Sequence, residues 1–473
     1  MKNNFYITTT LPYVNAKPHI GFALEIIQAD VIARWQRAQG KEVFFNTGTD
    51  EHGLKIYRKA QEEGKDPQEY VDEYAAKFDN LKRALNVSYN AFIRTTDKNH
   101  IKAAQEFWKK CEQVGDIYKK NYKVKYCVGC ELEKTESELV DGKCSVHPNL
   151  ELEIIEEENY FFKFSNYQDK LLELYEKNPE FVLPSWRLKE IKNFVAGGLE
   201  DFSISRLKEK MPWGVPVPGD DEHVMYVWFD ALINYISTLG WPGEEGDYEK
   251  FWPGMQVAGK DNLRQQSAMW QAMLMSAGLP NSTKILIHGF INSGGQKMSK
   301  SLGNVVDPFE LVEKYGTDAL RYYLLSEITP FEDGDFTVEK FELRYNADLA
   351  NGLGNLVARV SNMLEKDTLT LTLSQRERGL EEEVNSKIKE FKFNEALKIL
   401  WDELRKDDEE LSKKRPWKVE DVNDKKEILE PIALSILTVA ELLKPFLPET
   451  AEKIIKQFSE TQIKKSESLF PRL

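Results

Sequence analysis

Hydrophobic and polar positions alternate with three different rhythms along the chain. Residues 5–10 form an unbroken apolar, β-branched and aromatic run, which predicts a buried strand. A turn-rich stretch, Leu11-Pro12-Tyr13-Val14-Asn15-Ala16-Lys17-Pro18, follows it. Leu24, Ile27, Val31 and Trp35 then recur at helical spacing, and Gly40 is placed to stop that helix. Residues 43–47 predict the next strand. Strand, helix and strand in this order imply a parallel sheet, and such sheets bind ligands beyond the carboxyl ends of their strands. Residues 18–21 and 48–53 occupy the first two of those ends. The rhythm breaks at about 117–220, which holds three of the four cysteines, an acidic run at 151–158 and Trp213-Gly214-Val215-Pro216-Val217-Pro218. Sheet-like runs resume at 224–229, 255–258 and 284–287. Beyond about 340 strands vanish, and long amphipathic stretches broken at Pro445 and Pro448 predict a helical bundle.

Composition narrows the class. The 473 residues are 41% hydrophobic and 30% charged, enough for about three domains with sizeable cores. A net charge of -14 argues against indiscriminate nucleic-acid binding, so an RNA partner would be held by local patches. The polar start, Met1-Lys2-Asn3-Asn4, predicts no signal peptide, and no apolar run approaches a membrane span. Four cysteines, three of them clustered, are no disulfide framework and predict a reducing cytoplasm.

Three groups of residues carry chemistry. In Pro18-His19-Ile20-Gly21, the histidine and glycine sit where a strand turns into a helix. Gly21 lets a ligand approach the backbone, the helix start favours anions, and His19 can donate to a phosphate oxygen. Lys297-Met298-Ser299-Lys300-Ser301 follows a predicted strand and the pair Gly294-Gly295, with Gly303 beyond it. Two lysines at i and i+3 on a glycine-hinged loop suit a mobile clamp on a polyphosphate. A lone lysine pair is usually a solvated loop, and a four-residue histidine turn is weak alone. Together they predict an ATP-consuming enzyme. Third, Cys127-x-x-Cys130 is followed after thirteen residues by Cys144-x-x-His147, the paired spacing of a closed, structural Zn²⁺ site. Cys111 stands apart and reads as a small buried hydrophobe.

The two phosphate motifs, in this order, resemble the class I aminoacyl-tRNA synthetases, with their His-x-Gly-His turn and Lys-Met-Ser-Lys-Ser loop. Residues 201–206 (Asp-Phe-Ser-Ile-Ser-Arg) and Trp213-Gly214 look like another stretch of that class. Within the class the resemblance runs over nearly the whole chain to the methionyl-tRNA synthetases, through Thr10-Leu11-Pro12-Tyr13, residues 48–53, Val227-Trp228-Phe229-Asp230-Ala231, Gly259-Lys260-Asp261 and residues 297–301. It implies a Rossmann-type α/β catalytic domain (1–116 and 224–340), split by an inserted zinc-bearing connective domain (117–223) and followed by an all-α anticodon-binding domain (341–473). It further implies activation of methionine by ATP, with Mg²⁺, to an adenylate, and transfer to the 3′ end of tRNA(Met).

Residue by residue, the resemblance gives the methionine ammonium to Leu11 and Asp50, and the side chain to Tyr13, Trp228, Tyr235 and Gln266. A carboxylate and a carbonyl suit a cation, and a thioether packs well on aromatic rings. Read alone, each aromatic is plain core packing. Gly259 and Asp261 would contact ATP, and His19, Gly21, Lys297, Ser299 and Lys300 its phosphates. Zinc knuckles are usual in the family's insertion, implying one zinc per chain. Asn355 and Arg359 share a helix face, and Trp417 follows Lys413-Lys414-Arg415-Pro416. Spacing alone makes these a solvated polar pair and a core Trp; the resemblance makes them readers of the anticodon, since a Trp can stack on an unpaired base and Asn and Arg can read base edges.

This sequence departs from the family pattern in places. Phe22 stands where the second signature histidine belongs, Gln265-Gln266 replaces Phe-His, and Gln271 replaces a proline. Rival readings are another class I enzyme (for leucine, valine, isoleucine or cysteine) and a non-catalytic tRNA-binding paralogue. The segment near 117–220 is too short for the editing insertion of the first three, and its spacing does not suggest zinc in an amino-acid pocket. Nearly intact phosphate motifs speak against the paralogue. A monomer is expected, since no further module follows the helical region.

Overall fold

The structure is a computed structural model and describes residues 3–130, 132–134, 139–298, 303–365, 375–459, 463 and 468–473. The chain forms two compact units, one of residues 1–18, 41–80 and 89–287, the other of residues 19–40, 81–88 and 288–473.

The first unit is built on a six-stranded sheet. Its order is Ala91–Arg94, Glu42–Thr49, Asn4–Thr9, Met255–Gly259, Lys284–His288 and Val182–Leu183. Asn4–Thr9 pairs in parallel with Glu42–Thr49 on one side and Met255–Gly259 on the other. That reversal of direction about Asn4–Thr9 opens a crevice at the carboxyl ends of the strands. Tyr6, Ile7, Phe45 and Val257 are buried on it, as expected of a sheet covered on both faces. Gly48 is required by its neighbour, because a Cβ there would lie 1.8 Å from the carbonyl oxygen of Ile93.

The region from 117 brings its own antiparallel sheet, ordered Phe202–Ser203, Glu153–Phe162, Ile117–Cys127 and Leu132–Lys134. The acidic run at 151–158 largely belongs to its second strand, facing a lysine-rich partner, with Lys123 opposite Glu156 at 2.7 Å. This is a charge-paired ribbon, and the exposed pair adds little stability. The same region returns one short strand, Val182–Leu183, to the main sheet. The sheet-like run expected at 224–229 is a correction. Asp220–Met225 pairs antiparallel with Ser205–Leu207 in a small separate sheet, and the chain then turns into the helix Val227–Ala231. Residues 224–229 are nearly all buried, so the run lacks an alternating period that could separate strand from helix.

The second unit is mainly helical. It holds the helix Ile20–Ala38, a small sheet of Ile291–Ser293, Gln296–Lys297 and Gly334–Phe336, and the helices from Val338–Arg344 to Pro448–Ser459. Ile20–Ala38 buries polar as well as apolar residues, and three of these reach partners elsewhere in the unit. Glu25 meets His288 at 2.9 Å, Asp30 meets Arg321 at 2.9 Å, and the Trp35 indole donates to Asn385 at 2.7 Å. Arg321 is fully buried and also donates to the carbonyls of Leu85, Pro445 and Phe446. Burial alone would raise the Asp30 carboxyl, but Arg321 and Arg34 together hold it below the usual carboxylate range. Among the described residues, no helix is long and apolar enough to cross a membrane.

Candidate active site

The phosphate motifs fall in the second unit. His19 is the N-cap of Ile20–Ala38, and its Nδ1 accepts from the Gly21 backbone N–H at 3.0 Å. A nitrogen that accepts carries no proton, so the neutral ring bears its proton on Nε2, where it can donate. Burial lowers the His19 pKa from 6.5 to about 4, so the ring is neutral at pH 7. A Cβ on Gly21 would lie 2.7 Å from His19 Cε1, so the glycine makes room for the ring. Phe22 packs against the same ring at 4.8 Å between centroids. The position that departs from the family pattern thus supplies an apolar wall to His19.

The lysine loop lies in the same unit. Gly294 and Gly295 both adopt positive φ, 61° and 76°, and the Gly295 N–H donates to Asp335 at 2.6 Å. Lys297 is exposed, with its ammonium 5.4 Å from the Phe290 ring centroid. Beyond the loop, the carbonyl of Val306 accepts from the Ile20 N–H at 3.1 Å. That bond ties the return of the lysine loop to the first turn of the His19 helix. Ser299 and Lys300 lie outside the described residues.

The expected amino-acid pocket falls in the first unit, at the carboxyl ends of three neighbouring strands. Leu11 and Tyr13 follow Asn4–Thr9, Asp50 follows Glu42–Thr49, and Gly259 ends Met255–Gly259 with Asp261 in the turn beyond. The Asp50 N–H donates to Pro12 O at 3.0 Å and the Val14 N–H to Asp50 O at 3.2 Å, which sets residues 11–13 alongside Asp50. The Tyr13 hydroxyl donates to the His52 carbonyl at 2.6 Å. Tyr235 is buried, packs edge-on against Trp270 at 5.8 Å, and accepts from Gln266 Nε2 at 2.7 Å. Gln266 itself accepts from Gln256 at 2.7 Å, so the replacement glutamine is held at both ends of its amide. Trp228 is only partly buried.

Behind this pocket is a cluster to which the sequence assigned no role. Asp230, fully buried, accepts from His52 Nδ1 at 2.6 Å and bonds His100 Nε2 at 2.9 Å. Burial alone would raise its carboxyl, yet His52 and His100 hold it at about 2. Glu51 is clasped by Arg94 at 2.7 and 2.9 Å, and its carbonyl accepts from the Trp213 indole at 2.6 Å. Glu51, His52 and Asp230 lie inside the quoted stretches 48–53 and 227–231, whereas Arg94 and His100 lie outside them. Only their adjacency to pocket residues could have marked them, because their partners are distant in sequence.

Cys127, Cys130, Cys144 and His147 bring four ligand atoms within 4.8 Å of one another, the one group of three or more metal-competent side chains among the described residues. His147 Nδ1 lies 3.8 Å from Cys127 Sγ and 3.2 Å from Cys130 Sγ, and the sulfurs of Cys130 and Cys144 are 3.5 Å apart. Ligands around tetrahedral zinc, at bonds of about 2.0–2.3 Å, are spaced roughly 3.3–3.8 Å apart, so the cluster fits. Gly129 is also required, since a Cβ there would meet the His147 ring at 2.6 Å. Cys111 is fully buried, and burial pushes its thiol up to about 12.

In the helical region, Arg359 bonds Asp408 at 2.5 Å and lies 5.4 Å from the Trp417 ring centroid. Trp417 is 49% exposed, in a short turn after Arg415, so it is not the core Trp that spacing alone suggested. Asn355 begins the helix that carries Arg359.

The chain matches the family described as tRNA synthetases class I (M) over residues 5–149 and 129–361, and the anticodon-binding domain of tRNA ligase over residues 373–472. A methionine–tRNA ligase of Thermotoga maritima is 41% identical, over 96% of this chain and 75% of its own. One of Nostoc sp. is 42% identical, over 96% and 90%. The solved structure of Mycobacterium tuberculosis methionyl-tRNA synthetase in complex with methionyl-adenylate aligns with a TM-score of 0.93 and 37% identity, covering 100% of both chains. These likenesses span both units, the cysteine cluster and the helical region, and the chain belongs to the methionyl-tRNA synthetases of class I.

Proposed function

We propose that the residues described above carry out the family's reaction. The chain activates methionine with ATP and charges tRNA with it. In the first step a methionine carboxylate oxygen attacks the α-phosphorus; the new O–P bond forms as the bond to pyrophosphate breaks. In the second step the 3′-terminal hydroxyl of tRNA attacks the adenylate carbonyl, and AMP leaves. No side chain acts as a nucleophile, so rate comes from positioning and charge stabilisation.

In this reading Asp50 and the Leu11 carbonyl hold the methionine ammonium, and Tyr13, Trp228, Tyr235 and Gln266 surround its side chain. Gly259 and Asp261 face ATP. His19 donates through Nε2 to a phosphate oxygen, Gly21 allows close approach, and Lys297, Ser299 and Lys300 take up the negative charge that builds as pyrophosphate departs. Mg²⁺ bound with ATP would supply shielding of its phosphate charge. The observation that carries this is the His19 cap: its tautomer is fixed by Gly21, and its helix is bonded to the lysine loop's return at Val306. ATP–pyrophosphate exchange in purified protein tests it. Exchange with methionine is expected; exchange driven by leucine or another amino acid, and not by methionine, would refute it.

The cysteine cluster would hold one structural zinc per chain through Cys127, Cys130, Cys144 and His147. All four positions are filled by protein, which leaves none open for substrate. Metal analysis is expected to return about one zinc per chain, and close to none for Cys130→Ala.

Asn355, Arg359 and Trp417 would read the anticodon of tRNA(Met). The half-exposed Trp417 ring beside Arg359 supports this, because an exposed ring can stack on an unpaired base. Trp417→Ala should weaken tRNA charging by roughly ten-fold or more, at about 1–3 kcal/mol per stacked base, and leave exchange unchanged. Equal loss of both would mean a structural Trp. The division into a catalytic domain (1–116 and 224–340), an insertion (117–223) and an anticodon domain (341–473), a monomeric state and a cytoplasmic location complete the reading.

A further inference from the structure

We infer that Gln271, Ser282 and Gln256 are positioning residues that fix the direction of the Tyr235 hydroxyl proton, and so make the pocket select a ligand that can accept a hydrogen bond. The three glutamines and Tyr235 lie within the first unit and are buried to 2% exposure or less, with Ser282 at 6%. They form one connected series. Gln271 Nε2 donates to Ser282 Oγ at 3.1 Å, and Ser282 Oγ donates to Gln256 Oε1 at 2.6 Å. Gln256 Nε2 donates to Gln266 Oε1 at 2.7 Å, and Gln266 Nε2 donates to the Tyr235 hydroxyl oxygen at 2.7 Å.

Two backbone groups set the direction of the series. The Ser282 N–H can only donate, and it bonds Gln271 Oε1 at 3.1 Å. The Gln266 carbonyl can only accept, and it bonds Gln271 Nε2 at 2.9 Å. Asn281 donates to Gln271 Oε1 as well, at 3.1 Å. The Gln271 amide therefore cannot flip, and it must present Nε2 to Ser282. Ser282, already an acceptor from Gln271, directs its own proton to Gln256. Gln256 then offers its amide hydrogen to Gln266, and Gln266 offers its own to Tyr235. Each link in a buried chain of this kind polarises the next. At its end Tyr235 accepts from Gln266, so the phenolic proton is what Tyr235 directs onward.

This deepens the proposed function and rests on it, since that reading places Tyr235 at the methionine side chain. A thioether sulfur is a weak hydrogen-bond acceptor and a methylene is none. A Tyr235 that donates favours methionine over norleucine, the analogue with methylene in place of sulfur. A Tyr235 turned the other way would favour neither. Gln256 and Gln271 therefore have work to do without touching substrate, and Gln271, where the family pattern has proline, sits at the head of the series.

Removing Ser282's hydroxyl breaks the series at its second link and frees Gln256 and Gln266 to reverse. In ATP–pyrophosphate exchange, Ser282→Ala is expected to lower the methionine-to-norleucine ratio of kcat/KM roughly 3- to 10-fold, the size of one neutral hydrogen bond. Ser282→Thr, which keeps the hydroxyl, should keep the ratio. In a Tyr235→Phe background Ser282→Ala should leave the ratio unmoved. Should Ser282→Ala fail to fold by thermal melting, Gln256→Leu reads the next link by the same ratio. A fall of equal size for both amino acids, no change for either, or a full effect in the Tyr235→Phe background would each overturn the inference. Wild-type protein with no methionine-dependent exchange would instead overturn the functional reading beneath it.

Discussion

The residues proposed to meet phosphate and those proposed to meet the amino acid are held in opposite ways. His19, Gly21 and Lys297 come from short contiguous motifs, depend on backbone geometry and lie wholly or partly in reach of solvent. Tyr235, Gln266 and Asp230 come from distant parts of the chain and are buried in hydrogen-bond networks. A polyphosphate changes its charge distribution during reaction, so its partners gain from small, adjustable groups. A side chain to be recognised stays the same throughout, so its partners gain from rigidity. The phosphate residues should therefore reveal themselves in rate, and the amino-acid residues in stability and affinity.

The largest expected effect breaks the first half of that contrast. Gly21→Ala adds a methyl group that meets the His19 ring and leaves the helix intact. Exchange should fall by about 10²–10³-fold, the cost of losing one donor to a developing charge, with little change in melting temperature. A melting loss as large as the loss of rate would erase the contrast.

Next comes Asp230→Asn, which leaves two histidines sharing a weaker acceptor. It should destabilise the fold by several kcal/mol, as breaking a buried charged network does, and show first in thermal melting. The same carboxylate has an acid signature. Its pKa falls from 3.8 to about 2 on folding, so its contribution is present above pH 3.8 and disappears as pH drops toward 2. Asp230→Asn should remove that part of the acid limb of the stability curve.

A smaller effect belongs to Tyr13→Phe, which removes the donor to the His52 carbonyl. It should raise the methionine KM by roughly 2- to 10-fold and leave kcat near its original value. A last test concerns the titration of His19 alone. Its pKa is lowered from 6.5 to about 4 by burial, so an unfolded chain takes up the proton first. Stability due to this group is full above about pH 6.5 and is lost between there and pH 4. Proton NMR titration of the imidazole should give a midpoint near 4, with the proton on Nε2 above it.

The same contrast explains what the sequence made legible. Adjacent residues with a fixed mechanical role, such as His19 with Gly21 or Cys127 with Cys130, announce themselves by spacing. So did the strands at 4–9 and 42–49, whose apolar runs are bounded by turns. The Asp230 cluster did not, because its partners at 52 and 100 are distant in sequence and carry no periodic signal. Residues 224–229 misled for a related reason: burial on every side removes the alternation that tells strand from helix. Gln266 and Gln271 looked like departures from a pattern, and only the fold shows that they and Gln256 answer one another.

Arg321 finally bears on how far this chain can be treated as a set of interchangeable parts. Its guanidinium is sealed from water and completed by Asp30 near the start of the chain and by the carbonyls of Pro445 and Phe446 near its end. A gene fragment stopping short of those carbonyls would leave a buried cation with donors unmet. Modularity read from motif order therefore ends here: the helix that carries His19 and the turn before the last helix share one buried cation, and neither completes it alone.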